Sequence, residues 1–241
     1  MKQVKVKIIQ YGTLAQKIDY KKIGNHKSSI FKVITCDCHP YMPDCDNGVD
    51  FVHYSDEQWE RLMPKNNHEA DFIFGITDFA LDYNFYSRPV RDKSVIFSFR
   101  NIRDCLNEAN IPLENVIIQQ LYAYCIYLSQ HESLRTASIC HDETRGCIYD
   151  KNGAIVDIAL SCNQLNLCGE CQNTLLSWGF TKKEVKNLVK ELTKVKKPLF
   201  YRMLDWIKRH PILAIIISFI FSILSDLASS GILALWQKFM E

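Results

Sequence analysis

Residues 212–236, ILAIIISFIFSILSDLASSGILALW, leave this chain the fewest choices. The run is 25 residues long and holds one ionisable group, Asp226. As a helix rising about 1.5 Å per residue it reaches roughly 37 Å, enough to cross a hydrocarbon layer about 30 Å thick with some tilt. A water-soluble core would have to hide a run longer than most globular helices. The expectation is one transmembrane helix over 211–237 with a short tail, 238–241.

The flank gives the orientation. Ten Lys/Arg residues lie between Lys182 and Arg209, opposed by Glu184, Glu191 and Asp205, whereas Lys238 and Glu241 are the charges beyond the span. Positive-inside bias then puts the N-terminal part in the cytoplasm and the chain in the cell inner membrane, single-pass. The expected organisation is a cytoplasmic domain over 1–180, a basic juxtamembrane helical linker over 181–210, and the span. Formal net charge is +2, less than the excess carried by the basic flank, so the rest gives no broad nucleic-acid footprint. With no export signal evident, the ten cysteines are expected to stay reduced, which favours metal binding over a disulfide framework.

Periodicity predicts an α+β class. Lys2–Tyr11 alternates as a first strand, with further strands at Ser28–Thr35, Ala70–Thr77 and Lys93–Phe99. Ser55 caps a short helix over Asp56–Met63. Glu114 to about Gln130 has apolar residues at helical spacing and reads as a long core helix. Cys36–Gly48 reads as a loop, and Cys147–Asp150 with Ala154–Leu160 as two strands around a Lys151-Asn152-Gly153 turn. A small helix opens near Cys168, and Thr181 with Glu184 forms a capping box for another that runs to about Lys197.

Cys168-Gly-Glu-Cys171 is a knuckle that lets two thiolates grip one metal ion, and His141 with Cys147 makes a second half-site. Four such ligands without an open position describe a structural, tetrahedral Zn2+ site. Cys140 and Cys162 are alternatives to Cys147 that spacing does not rank. A second cluster, Cys36, Cys38, His39 and Cys45, has tighter spacing and two prolines, which leaves a second metal and a loop with incidental thiols as the alternatives.

Within the span, Ser218, Ser222, Ser225 and Ser229 are spaced 4, 3 and 4 residues apart, a stripe on one helix face, with Asp226 beside it. Small hydroxylic residues let helices approach and bond across the contact. A carboxylate at bilayer depth costs roughly 3 kcal/mol, so it should face protein or water. These features point to a homo-oligomer, a tetramer being one such assembly, whose spans meet along this face and can surround an aqueous path.

Two resemblances follow. Phe74-Gly75-Ile76-Thr77-Asp78, then a long helix, then His141, Cys147, Cys168 and Cys171, resembles the order of features in archaemetzincin-type zincins, over about Ala70–Leu176. That implies a zincin-like domain with a second, structural zinc. The catalytic pattern is missing: a zinc protease needs two histidines four residues apart on one helix with a glutamate as base, and Arg135 stands where the second histidine after His131-Glu132 would fall. The chain is therefore expected not to be an enzyme, with any protease ancestry surviving only as scaffold and no catalytic metal.

The order His141-Asp142-Glu143-Thr144-Arg145-Gly146-Cys147, the late Cys pair, and Lys208-Arg209-His210-Pro211 ahead of the span is similar to membrane effectors of anti-phage systems, most nearly the Hailong type. That resemblance implies an oligomeric channel in the lipid bilayer, gated by a nucleotide or short oligonucleotide and held closed by a short single-stranded DNA signal that a partner nucleotidyltransferase makes. Arg88, Arg91, Arg135 and Arg145 are the candidate phosphate contacts, since arginine forks suit phosphate. The alternatives are a membrane-anchored metallopeptidase using scattered histidines (His26, His39, His53, His68), or a tail-anchored adaptor.

Overall fold

The computed structural model describes residues 2–47, 53–65, 69–136 and 140–240, with side chains of the final helix described as far as Ser229. The chain divides into two compact units, Met1–Lys197 and Pro198–Glu241.

The first unit is a mixed α/β structure. Its strands are β1 (Val4–Tyr11), β2 (Phe31–His39), β3 (Phe72–Thr77), β4 (Ser87–Arg91) and β5 (Ser94–Ser98), in the spatial order β2-β1-β3-β5-β4. All pairs are parallel except the antiparallel β4–β5 edge. Every residue of β3 is buried, as expected of a central strand covered on both faces. Alternation sorts the side chains: Val6, Ile8, Phe72, Phe74, Val95 and Phe97 enter the larger core, while Ile9, Tyr11, Ile73 and Ile96 enter a smaller one built around Trp59.

The helices of this unit are α1 (Tyr20–Gly24), α2 (Asp56–Leu62), α3 (Ile102–Glu108), α4 (Leu113–Leu128), α5 (Ile158–Asn163), α6 (Gly169–Ser177) and α7 (Lys182–Leu192). Helix α4 is the long helix that periodicity predicts, and thirteen of its sixteen residues are buried. The Ser55 cap and the Thr181–Glu184 capping box both form.

Three expectations are corrected. The two strands predicted around Lys151-Asn152-Gly153 are absent. The Asn152 turn is real, with φ of 49°, but a 3-10 turn at Ile155–Asp157 and helix α5 follow it. Ile155, Ile158 and Cys162 lie at i, i+3 and i+7, and that helical period buries Ile158 and Cys162 completely. Cys36–His39, read as loop, extends β2 at the sheet edge. The segment 181–210 is not one linker: Val185, Leu188 and Leu192 pack α7 into the first unit's core, and the division falls at Pro198. Strand β4 was hidden from sequence reading by Pro89, which an edge strand tolerates because its missing N–H need not join a ladder.

The second unit consists of α8 (Leu199–Arg209) and α9 (Pro211–Met240). Helix α8 carries Leu199, Phe200, Met203, Leu204, Trp206 and Ile207 exposed, with Tyr201, Arg202, Asp205, Lys208 and Arg209 at the remaining positions. Pro211 sits at the first position of α9, where its absent N–H costs nothing. Over Pro211–Ser229 this helix is long and apolar enough to cross a membrane, and none of that stretch is buried. The tail expected over 238–241 is helical to Met240, and Glu241 lies outside the described residues.

Gly75 tests the packing between β3 and the smaller core. A Cβ there would lie 2.8 Å from Ile96 Cδ1, 3.2 Å from Met63 Cε and 3.3 Å from Tyr11 Cε2. Gly75→Ala is expected to cost about 1–3 kcal/mol through overpacking. Thermal unfolding followed by circular dichroism should show a midpoint lower by roughly 3–10 °C, and an unchanged midpoint would contradict this packing.

Candidate metal centre

Three chain segments deliver the four ligands. Cys147 ends a tight turn in which Gly146 has φ of 69°. Cys168 is the N-cap residue of α6, and Cys171 lies in that helix's first turn. His141 enters through an isolated parallel bridge to Asp150. The donor atoms of His141, Cys147, Cys168 and Cys171 all lie within 4.8 Å of one another. Zinc–thiolate bonds of about 2.3 Å put tetrahedral sulfurs about 3.8 Å apart, so small side-chain adjustments close the site. Three thiolates and one imidazole are the donor set of structural zinc, and this cluster is able to hold that ion.

The surroundings prepare each ligand. His141 Nδ1 lies 2.9 Å from the Glu143 carbonyl, and a proton there leaves Nε2, which is 3.5 Å from Cys168 Sγ, free to bind metal. Burial opposes charge on this imidazole, but hydrogen bonds to Cys147 and the Glu143 carbonyl and the nearby thiols raise its pKa overall. The Cys168 N–H donates to Cys147 Sγ at 3.4 Å, and the Cys171 N–H to Cys168 Sγ at 3.5 Å. A hydrogen bond from Cys171 lowers the pKa of Cys147, and keeping that proton raises Cys171. The cluster thus favours a thiolate at Cys147 before any ion arrives.

Asp150 was not singled out by sequence reading. It is fully buried in its side chain, and Oδ2 accepts from Arg145 N–H at 3.1 Å, Cys147 N–H at 2.9 Å and Ser161 Oγ at 3.0 Å. Its Oδ1 has no hydrogen bond of its own and lies 3.5 Å from His141 Nδ1. One carboxylate therefore folds the Arg145–Cys147 turn and backs the histidine ligand, an outer-shell role that usually sets ligand orientation. The signal in sequence was only its position three residues after Cys147.

Arg145 belongs to this centre too. Its guanidinium bonds Glu170 at 2.6 Å and Glu143 at 2.9 Å and reaches within 3.8 Å of Cys168 Sγ. A cation beside Cys168 Sγ offsets part of the negative charge that a Cys3His zinc site would carry.

The other predicted arginines gather elsewhere. Arg88 pairs with Asp56 and lies over the rings of Phe85 and Tyr83, at 5.1 and 5.9 Å. Arg91 bonds the Glu60 carbonyl, and Arg135 bonds Glu60 Oε1 at 2.7 Å. These three line the β4 edge with acidic partners already in place.

The second cysteine cluster does not come together; among the described residues one metal-capable group exists. Strand alternation separates Cys36 and Cys38 from His39, which stacks on Tyr11 at 5.6 Å, while Cys45 donates to the Asn47 carbonyl at 3.3 Å. Cys140 is exposed, and Cys162 is buried in α5 against Gln119. Among the scattered histidines, His26 lies 2.9 Å from the Tyr122 hydroxyl and His53 pairs with Asp82. His68 lies outside the described residues.

No known family profile matches the chain, and no characterised protein matches it in sequence. Among solved structures, an archaemetzincin from Methanopyrus kandleri is similar, with 14% identity over 73% of this chain and 95% of that protein, at a TM-score of 0.46.

Two substitutions separate ligand from support. Cys171→Ala is expected to abolish zinc retention, measured by elemental analysis of the purified protein, where the native chain should hold one zinc. The unfolding midpoint should fall by about 10 °C or more, since structural zinc contributes apparent binding energies above about 10 kcal/mol. Asp150→Asn should retain zinc but lose it to a competing chelator about 10–100-fold more readily. Equal zinc affinity in Asp150→Asn and the native chain would refute the supporting role.

Proposed function

We propose that this protein is an oligomeric membrane effector, in which a zinc-stapled, non-catalytic cytoplasmic unit controls a pore or channel assembled from copies of α9. The observation that supports it is the state of that helix. From Ile212 to Leu227 its large apolar side chains are exposed, including Ile212, Ile215, Phe219, Phe221 and Leu227. Water disfavours such a surface strongly, whereas a bilayer accepts it. The proposed setting is the inner membrane, single-pass, with the first unit inside.

One helix cannot enclose a path, so a pore requires several copies. The serine stripe and Asp226 are the proposed meeting face. Ser218 Oγ and Ser229 Oγ donate to carbonyls four residues earlier, at 2.9 and 2.8 Å, which satisfies the hydroxyls within each helix while keeping the face small. The ligand in this proposal is a nucleotide or short oligonucleotide and the context anti-phage defence, both carried over from the resemblance to Hailong-type effectors. The partner nucleotidyltransferase has the same source. The zincin-like character of the scaffold is part of the same reading, supported by the order of β3, the long buried α4 and the late metal site. In this proposal α4 has a structural role: Asn115, Gln119 and Gln120 are its buried polar groups, and Asn115 and Gln119 donate to carbonyls of neighbouring segments.

Expression of the chain without its regulator should depolarise the membrane and arrest growth. Replacing Ser218, Ser222, Ser225, Asp226 and Ser229 together by leucine should keep membrane insertion and abolish depolarisation. Unaltered toxicity in that variant would sink the pore. Function retained after exchange of α9 for an unrelated anchor would favour the adaptor, and chelator-sensitive peptide hydrolysis the metallopeptidase.

A further inference from the structure

A groove of about 780 Å³ opens in the first unit, away from both the metal centre and the β4 arginines. One wall is the exposed face of α7 and the turn after it, where Asn187, Lys190 and Lys194 follow at i, i+3 and i+7. The facing wall is Lys22 of α1 and the connection to β2, with Lys27 and Ser29. Asn115, Ile118 and Val195 form the floor, and Lys196 closes one end.

The charge is one-sided. Five lysines line the groove against one carboxylate, Glu191, in a chain whose formal net charge is only +2. Glu191 is committed to the wall: its Oε1 accepts from the Ser29 N–H at 2.8 Å and from the Tyr122 hydroxyl at 2.5 Å, tying α7 to the β2 approach and to α4. His26 lies 2.9 Å from the same hydroxyl, and burial lowers its pKa despite the Glu191 charge, so it adds no positive charge at neutral pH. Lys22 is held by Glu114 at 3.3 Å. Among the described residues, Lys27, Lys190, Lys194 and Lys196 have no carboxylate within ion-pair distance.

Like charges gathered on two fixed walls repel one another, and a multivalent anion between them removes that repulsion. Ammonium groups are compact point charges that suit several dispersed phosphates better than one planar carboxylate. No exposed aromatic ring stands among the lining residues to stack a base. We infer that the groove between α7 and the α1–β2 connection is a binding site for a multiphosphate anion of the nucleotide or short-oligonucleotide class, recognised through its phosphates rather than its bases. This site is separate from the four arginines that sequence reading put forward. It deepens the proposed function and rests on that reading for the ligand's purpose, whereas binding itself is measured without any membrane activity.

The test uses the full chain in detergent micelles and the fluorescence anisotropy of a short fluorescein-labelled deoxyoligonucleotide. Binding should weaken with salt at a logarithmic slope of about −2 to −3, since three or four lysines contribute about 0.7 each on a single strand. Inorganic tripolyphosphate should compete, and different base sequences should bind within about threefold of one another. Lys190→Glu with Lys194→Glu should weaken binding about tenfold or more and flatten the slope. The matched control, Lys182→Glu with Lys183→Glu on the first turn of the same helix, should change affinity less than about threefold, and neither pair should move the unfolding midpoint.

Equal losses in both variants would reduce the groove to diffuse attraction and overturn the site, as would no binding at low salt. Displacement of the oligonucleotide by vesicles of acidic lipid, without competition by tripolyphosphate, would assign the groove to membrane headgroups and overturn it as well. A failed depolarisation assay would leave this binding result standing, and failed binding would leave the pore standing.

Discussion

Helix α4 is buried on nearly every side, and that burial dictates the rest of the first unit. A helix with an apolar stripe could leave its polar residues in water, but this one carries Asn115, Gln119 and Gln120 into the core. Each unpaired polar group there would cost roughly 1–3 kcal/mol. The segment that follows supplies partners: Asn115 donates to the Cys162 carbonyl at 3.1 Å, and Gln119 to the Ile148 carbonyl at 3.3 Å. Tyr149 Oη returns a bond to the Ala123 carbonyl at 3.2 Å. The requirement to satisfy α4 therefore docks the metal-bearing segment onto the sheet-and-helix core.

That docking explains why a metal is useful here. Between Leu128 and Gly169 the regular structure is one 3-10 turn and the short α5 among the described residues. Such a segment gives up chain entropy without the return of a long helix or a sheet ladder. Asp150 supplies a polar hub, accepting two backbone N–H groups and a serine hydroxyl, and the thiol–imidazole cluster supplies a second fastening point. The metal and the carboxylate act on the same turn, so neither is redundant.

The two units present different surfaces. The second exposes a continuous apolar helix, which favours lipid or other copies of itself. The first is polar outside but concentrates lysines on one groove while its arginines are mostly engaged by acids. Arginine and lysine thus divide the work: planar forks fasten edges and the metal centre, and mobile ammonium groups surround the open groove.

Local features were legible in the chain because they need few partners. Alternation identified β1, a continuous apolar run identified β3, a 3.6-residue period identified α4, Ser55 and Thr181 announced their helices, and ligand spacing identified His141, Cys147, Cys168 and Cys171. The apolar run at 212–236 needed no tertiary information either, since its length and composition suffice. What tertiary structure decided depends on neighbours distant in sequence. Only sheet pairing could show that Cys36–His39 is an edge strand, whose alternation keeps its thiols and imidazole apart. Short apolar runs such as Ala154–Leu160 fit a strand or a helix equally, and packing of Ile158 and Cys162 against the core chose the helix. Which acid meets Arg88, Arg91 and Arg135, and the convergence of α1 and α7 lysines on one opening, are contacts across tens of residues. Charge and spacing carry no trace of them until the chain has folded.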